Sequence, residues 1–326
     1  MNTSFNRRKA ILGATALGVG SLFGHHAQAQ QNVSRIVVGF PAGGTADRLA
    51  RVLGPLLATP GQTVIVDNKP GASGQIAADT TRQASPDGTT LLLTPSSVLS
   101  LVPLLYKKPM YDSRQDFAPI GCVCDHSFGF AVPGNSPFQT LADFVAWAKK
   151  NPSEATYATP GPGTAPHFLG TLWGREIGVP LAHVPYKGVA PGLQDLMGGQ
   201  IASTFNPLPT MLEFHRVGRI RILGVTNPNR VASLPAVPTF TESGFSAVEL
   251  VEWYGLFTSS KVSTAPLAVL QGRLSQALSK PEIVPAAKSL EVEPRPEDAA
   301  GLKRLLETDI RRWSEVVKAT GIQLES

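Results

Sequence analysis

Two short stretches of this chain place glycine just ahead of a helix, and the chemistry open to them is anion binding. Gly39-Phe40-Pro41-Ala42-Gly43-Gly44-Thr45 ends a β-branched run from Arg35 to Phe40. It precedes Leu49, Val52, Leu53, Leu56 and Leu57, spaced as one buried helical face. Thr159-Pro160-Gly161-Pro162-Gly163-Thr164 likewise follows a short strand, Thr156 to Ala158, and precedes Phe168, Leu169 and Leu172. Glycine lets a ligand approach the backbone closely. The first N–H groups of each helix have no acceptor within it, and the helix dipole favours negative charge at that end. A carboxylate can therefore be held at Thr45 or Thr164 without a charged side chain. Such sites lie at the carboxyl ends of strands in open α/β sheets, and two of them can hold two ends of one anion. Each stretch also has a plain reading as a tight connection, and Asp47 in the first helical turn as a simple answer to the dipole.

Catalytic and cofactor motifs are missing. The first turn has neither the Gly-Lys-Ser/Thr of a phosphate loop nor the Gly-x-Gly-x-x-Gly of a dinucleotide site. Gly71-Ala72-Ser73-Gly74 is too short for a nucleophile elbow. His126, His167, His183 and His215 are scattered without metal-ligand spacing. His167 stands out only because it falls in the first turn of the second helix, where capping or packing explains it as well as ligand contact. The reading is a binding protein with no cofactor and no metal; an exported hydrolase is the weakest alternative.

The elements that must position these turns alternate along the chain, which predicts an α/β fold with mostly parallel sheets. Strands are expected at 35–40, 63–66, 90–93, 156–158, 182–184, 201–205 and 220–226, and helices at 45–57, 75–84, 141–150 and from Thr164. Ala118 to Val132 and Val248 to Phe257 read as crossovers between two lobes. Thr239 and Glu242 have capping-box spacing, and Leu302, Leu305, Leu306, Ile310, Trp313 and Val317 mark a C-terminal helix before Gly321. Residues 33–129 with 252–326 are expected in one lobe and 130–251 in the other.

Residues 1–29 read as an export signal: Arg7-Arg8-Lys9, an apolar run from Ala10 to Phe23, then Ala27-Gln28-Ala29 before a cleavage at Gln30. The arginine pair fits a twin-arginine route, although Ala10 stands where a bulky apolar residue is usual; the ordinary secretory route fits equally. With the three basic residues of this segment removed, 26 basic face 24 acidic residues, a balance of +2. No basic cluster interleaved with aromatics is present, so no nucleic-acid partner is expected. Cys122 and Cys124, the only cysteines, fall on one face of a strand and are expected to be buried free thiols. The mature chain is expected to be a soluble periplasmic monomer.

The turns belong to a longer series. Gly39 to Asp47, Val66-Asp67-Asn68-Lys69-Pro70-Gly71, Ser85-Pro86-Asp87-Gly88, Gly161 to His167, Val184-Pro185-Tyr186-Lys187-Gly188, Asp195 to Gln200 and Leu234 to Thr239 occur in that order. With Arg312-Trp313, the series resembles the Bug-type binding proteins of tripartite tricarboxylate transporters over roughly residues 34–322. The resemblance implies a two-lobed type II periplasmic binding protein fold, with a hinge and an interlobe ligand cleft. It implies a small carboxylate ligand held largely by backbone amides, and membrane permease subunits as partners. A ligand sensor that reports to a signalling partner predicts the same site. On these residues the near-lobe contacts would be Phe40, Ala42, Gly43, Gly44, Thr45 and Asp47, with Ser96 and Ser97 after the strand at 90–93. The far-lobe contacts would be Thr159, Gly161, Gly163, Thr164 and His167. Relatives often carry an acidic residue near the end of the strand after Gly-Gly-Gln, suited to a ligand amino group. Here Asn206 takes that place. It argues against an amino-acid ligand and leaves di- or tricarboxylates and aromatic carboxylates.

Overall fold

The computed structural model describes residues 32–324, so the expected signal segment lies outside the described residues. Strand and helix alternate from the start: β1 (Asn32–Val38), α1 (Thr45–Leu57), β2 (Gln62–Asn68), α2 (Gln75–Gln83), β3 (Thr90–Pro95), α3 (Ser96–Ser100) and β4 (Phe117–Pro133). The middle of the chain adds α4 (Leu141–Lys150), β5 (Thr156–Thr159), α5 (Ala165–Glu176), β6 (Ala182–Pro185), α6 (Val189–Met197), β7 (Ser203–Pro207), α7 (Leu212–Arg216) and β8 (Ile220–Val225). The end supplies β9 (Val251–Ser259), α8 (Thr264–Ser279), α9 (Ile283–Leu290), β10 (Glu293–Pro294) and α10 (Ala299–Thr320).

The strands run in the order β2-β1-β3-β9-β4-β7-β5-β6, with β8 and β10 also on β4. Pairing is parallel for β1 with β3 and for β5 with β6 and β7. It is antiparallel wherever β4 or β9 takes part. The expectation of mostly parallel sheets therefore fails at the centre. Both crossovers are long strands that run against their neighbours. The first part of β4 pairs with β9 and β10, and from Phe128 onward it pairs with β7 and β8.

Both faces of each sheet are covered, which is why the strands read as unbroken apolar runs. Ile36, Val38, Leu91 and Leu93 meet Leu49 and Leu53 of α1, Leu274 of α8 and Ile283 of α9. The residues between them, Val37 and Leu92, point the other way, onto Ala77 and Ala78 of α2 and Leu302 and Leu306 of α10. In the second sheet the ring of Phe130 lies 4.8, 4.7 and 5.0 Å from those of Phe144, Trp173 and Phe205. Truncating one such ring to alanine costs about 3–5 kcal/mol. The far end of α10 also joins this cluster, with Trp313 edge-on to Phe168.

Two local expectations change. Register shifts between Cys122 and Cys124, so the extra residue of a bulge turns the two thiols apart. Cys122 packs with α10 and Cys124 with the α1 side, both buried and free. The capping-box bonds of Thr239 and Glu242 both form, yet they close a turn rather than start a helix. Gly321 ends α10 in the left-handed region, at φ 69°, as its position after the last apolar residue predicts.

Candidate functional site

A cavity of about 440 Å³ opens between the two sheets, and its floor comes from the two crossover strands. His126 and Phe128 of β4 and Glu252 and Tyr254 of β9 line it. Alternation puts each pair on one strand face, and the antiparallel register sets His126 opposite Glu252. One wall is the start of α1, from Phe40 to Ala46; another is the start of α6, from Lys187 to Pro191. Thr164 and Pro166 of the α5 start contribute a smaller part, and Pro207, Pro209 and Phe214 complete an apolar side.

The start of α1 is built as a donor site. Gly44 is its N-cap and offers no side chain, so the N–H groups of Thr45, Ala46 and Asp47 have no acceptor from the helix or its cap. The Thr45 hydroxyl is buried without a hydrogen-bond partner. Gly43 has φ +87° with open space where a Cβ would stand, a backbone angle that L side chains rarely adopt. Asp47, however, does not face the cavity. Its Oδ2 accepts the Gly43 N–H at 2.9 Å and its two oxygens accept from Arg51 at 3.0 and 2.9 Å. Burial pushes this carboxyl up, but Arg51 and the Gly43 N–H outweigh it and hold the pKa below the ordinary value. Asp47 thus shapes the loop and consumes one of the donors expected for ligand.

The α5 start is a poorer site than its sequence implies. The Gly163 N–H donates to Nδ1 of His167 at 3.1 Å, and Pro166 has no N–H. Thr164 turns its hydroxyl to Gly161 O. His167 stacks on His183 with ring centroids 3.9 Å apart, and Thr159 Oγ1 lies 2.6 Å from Nε2 of His183. Burial lowers His167 to about 4; burial, then the neighbouring ring, lowers His183 to about 3. Both rings are neutral at pH 7, and His167 acts as an acceptor that caps its own turn.

Of the residues marked in the sequence, Phe40, Ala42, Gly43, Gly44, Thr45, Ser97 and Thr164 line the cavity. Asp47, Ser96, Thr159, Gly161, Gly163, His167 and Asn206 do not. Ser96 turns its hydroxyl to Glu252, and Asn206 donates to Thr204 Oγ1 at 2.7 Å. Sequence reasoning missed the α6 start, Arg48, and the Glu252–His126 pair. Gly188 between β6 and the apolar run Val189, Leu193, Leu196 is a third strand–glycine–helix unit and could have been found. The pair could not, because only the register of β4 on β9 brings it together.

Residues 49–322 match the model of the tripartite tricarboxylate transporter family receptor. The chain belongs to that family. BugT of Bordetella pertussis (strain Tohama I) is 30% identical to this receptor over 297 residues, covering 89% of this chain and 90% of BugT. The solved periplasmic binding protein BugD is 31% identical with a TM-score of 0.83, over 90% of this chain and 99% of BugD. Rpa4515 of R. palustris, solved with adipate, is 29% identical with a TM-score of 0.85, over 90% of this chain and 98% of that one. The receptor has the two-lobed type II periplasmic binding protein fold of these relatives. Among the described residues no helix is long and apolar enough to cross a membrane.

Proposed function

We propose that this receptor captures a small carboxylate in the periplasm and presents it to permease subunits of a tripartite transporter. The observation that carries the reading is the convergence of two uncapped helix starts, α1 and α6, on one cavity beside the orphan hydroxyl of Thr45. The backbone donors of residues 45–47 and of Val189 and Ala190 would take the carboxylate oxygens, with Arg48 and Lys187 adding positive charge. Of the expected contacts, Phe40, Ala42, Ser97 and Thr164 would touch the ligand directly. Gly163, His167, Thr159 and Gly161 would hold the α5 turn in shape, and Asp47 the α1 turn. Residues 33–129 with 252–326 would form one lobe and 130–251 the other, hinged through β4 and β9 and closing over the ligand. Residues 1–29 would direct export and be removed. The apolar walls suit a di- or tricarboxylate chain or an aromatic carboxylate, and the reading requires no catalytic step.

A substitution at Gly44 tests the site without disturbing the fold. Gly44 has φ −71° and ψ 169°, the extended shape of an N-cap, and a Cβ there would meet only Pro41 O at 3.5 Å. In Gly44→Asp the new carboxylate accepts the first helical N–H groups itself and takes the place of the ligand's. Stability should stay within a few tenths of a kcal/mol, while affinity for a bound carboxylate falls at least about tenfold. Titration calorimetry with a dicarboxylate panel measures this. Unchanged affinity in a folded Gly44→Asp receptor would place the carboxylate elsewhere.

A further inference from the structure

Glu252 and His126 have no role in holding a carboxylate, yet they form the polar floor of the cavity that would hold one. Each is about 4% exposed, and an acid so buried must have its lone pairs matched. Oε1 of Glu252 accepts the Ser97 N–H at 2.7 Å and the Ser96 hydroxyl at 3.3 Å. Oε2 stands 3.3 Å from Nε2 of His126, but Nε2 has no partner in hydrogen-bond geometry. If the ring carries a single hydrogen, the other ring nitrogen fixes where it sits. Nδ1 lies 3.3 Å from Ser127 O, and a carbonyl oxygen only accepts, so Nδ1 carries the hydrogen. Nε2 is then an acceptor. Two acceptors, one on each crossover strand, stand side by side at a cavity that both line, and no protein donor fills the gap.

We infer that Glu252 and His126 select carboxylates that also carry a nitrogen with two hydrogens: an ammonium, an amine or a primary amide. The inference rests on the carboxylate-receptor reading above and adds the second half of the ligand. One such nitrogen donates to Oε2 and to Nε2 at once. A hydroxyl satisfies only one of them, and a second carboxylate would meet Oε2 with like charge. The placement also suits one small molecule. Tyr254, beside the Thr45 hydroxyl, is two residues from Glu252 on the same strand face, a step of about 7 Å. The carboxylate end at α1 and the nitrogen end at Glu252 are therefore a short chain or one ring apart. Asn206 on β7 has no charge to give and is turned to Thr204, so the acid comes from β9 instead. The competing arrangement is a proton on Nε2 that closes an internal ion pair and asks nothing of the ligand.

Matched acids that differ only in the nitrogen separate the two arrangements. The probes are glutarate against glutamate, adipate against 2-aminoadipate, and benzoate against 4-aminobenzoate, titrated calorimetrically into the full receptor. The nitrogen-bearing member of at least one pair should bind at least tenfold more tightly. Glu252→Gln, of the same shape, should bring that ratio near one, and His126→Phe should reduce it through the loss of the second acceptor. Wild-type ratios at or below one in every pair would overturn the inference and leave carboxylate capture standing. If no acid of either kind bound, carboxylate capture itself would fall, and the inference with it.

Discussion

At the scale of single residues, the site depends on which polar groups are satisfied and which are left open. Asp47 and His167 each take up a glycine N–H, and each thereby turns a potential ligand donor into part of the scaffold. The buried histidine stack has a consequence for stability. His167 and His183 fall to about 4 and about 3 in the folded receptor, against an ordinary value of 6.5. Between pH 6.5 and about 4 the unfolded chain binds these protons and the folded one does not, so their contribution is complete above pH 6.5 and is lost as pH falls. From pH 6.5 to 5 the loss should be on the order of 2–4 kcal/mol for the two rings, at about 1.4 kcal/mol per unit of pKa. Asp309 runs the other way: burial raises it to about 6, so it adds stability as pH falls. Chemical denaturation at pH 7 and pH 5 should thus show a smaller loss in a His167→Gln, His183→Gln double variant than in the parent. Equal losses in both proteins would mean that the stacked rings are not held neutral.

At the scale of elements, the start of α1 is where the proposed carboxylate would bind, and the bulge in β4 sorts the packing of two thiols. A helix start with a side-chain cap is more stable and less useful; here Gly44 leaves the donors open and Thr45 adds a hydroxyl with no partner. Thr45→Val keeps the shape of the side chain and removes that hydroxyl. Stability should hold or rise slightly, because an unpaired buried hydroxyl is a cost. Affinity for the carboxylate should fall roughly ten- to a hundredfold, the loss of one hydrogen bond to a charged group at about 1.5–3 kcal/mol. Calorimetry and thermal melts on the same preparation check both halves; a Thr45→Val receptor that binds like its parent would exclude contact with this hydroxyl. The β4 bulge sends Cys122 and Cys124 into separate clusters, and burial pushes the Cys122 thiol up to about 12.

At the scale of the whole molecule, two strands join the sheets and the cavity floor lies on them, so motion of the sheets must bend at the floor itself. The Ser73 hydroxyl donates to Pro162 O, Arg216 pairs with Glu291 at 2.7 Å between α7 and the end of α9, and the N-cap Gly188 lies against Pro41. Solvent-exposed contacts of this kind are weak, so the ligand-free receptor should populate an open form. Small-angle scattering should then show a smaller radius of gyration on saturation with a carboxylate. Identical scattering curves with and without bound ligand would argue for a rigid receptor.

The sequence by itself determined the local parts. Strand–glycine–helix order placed the α1 and α5 starts, apolar runs marked the crossovers that form β4 and β9, and Gly321 ended α10, because each depends on residues a few positions apart. Tertiary structure decided what those parts do. Whether the Gly43 and Gly163 donors remain open depends on where the Asp47 and His167 side chains turn, and spacing does not report that. The α6 start lines the same cavity as the α1 start, a placement set by the pairing of β6 with β5 and of β5 with β7 and not by local sequence. Glu252 and His126 stand 126 positions apart in the chain and meet through one register of two antiparallel strands. A shift of that register by one residue would turn one of them to the opposite face. Local sequence fixes periodicity and turn shape; cross-strand register and side-chain direction arise only when distant segments pack.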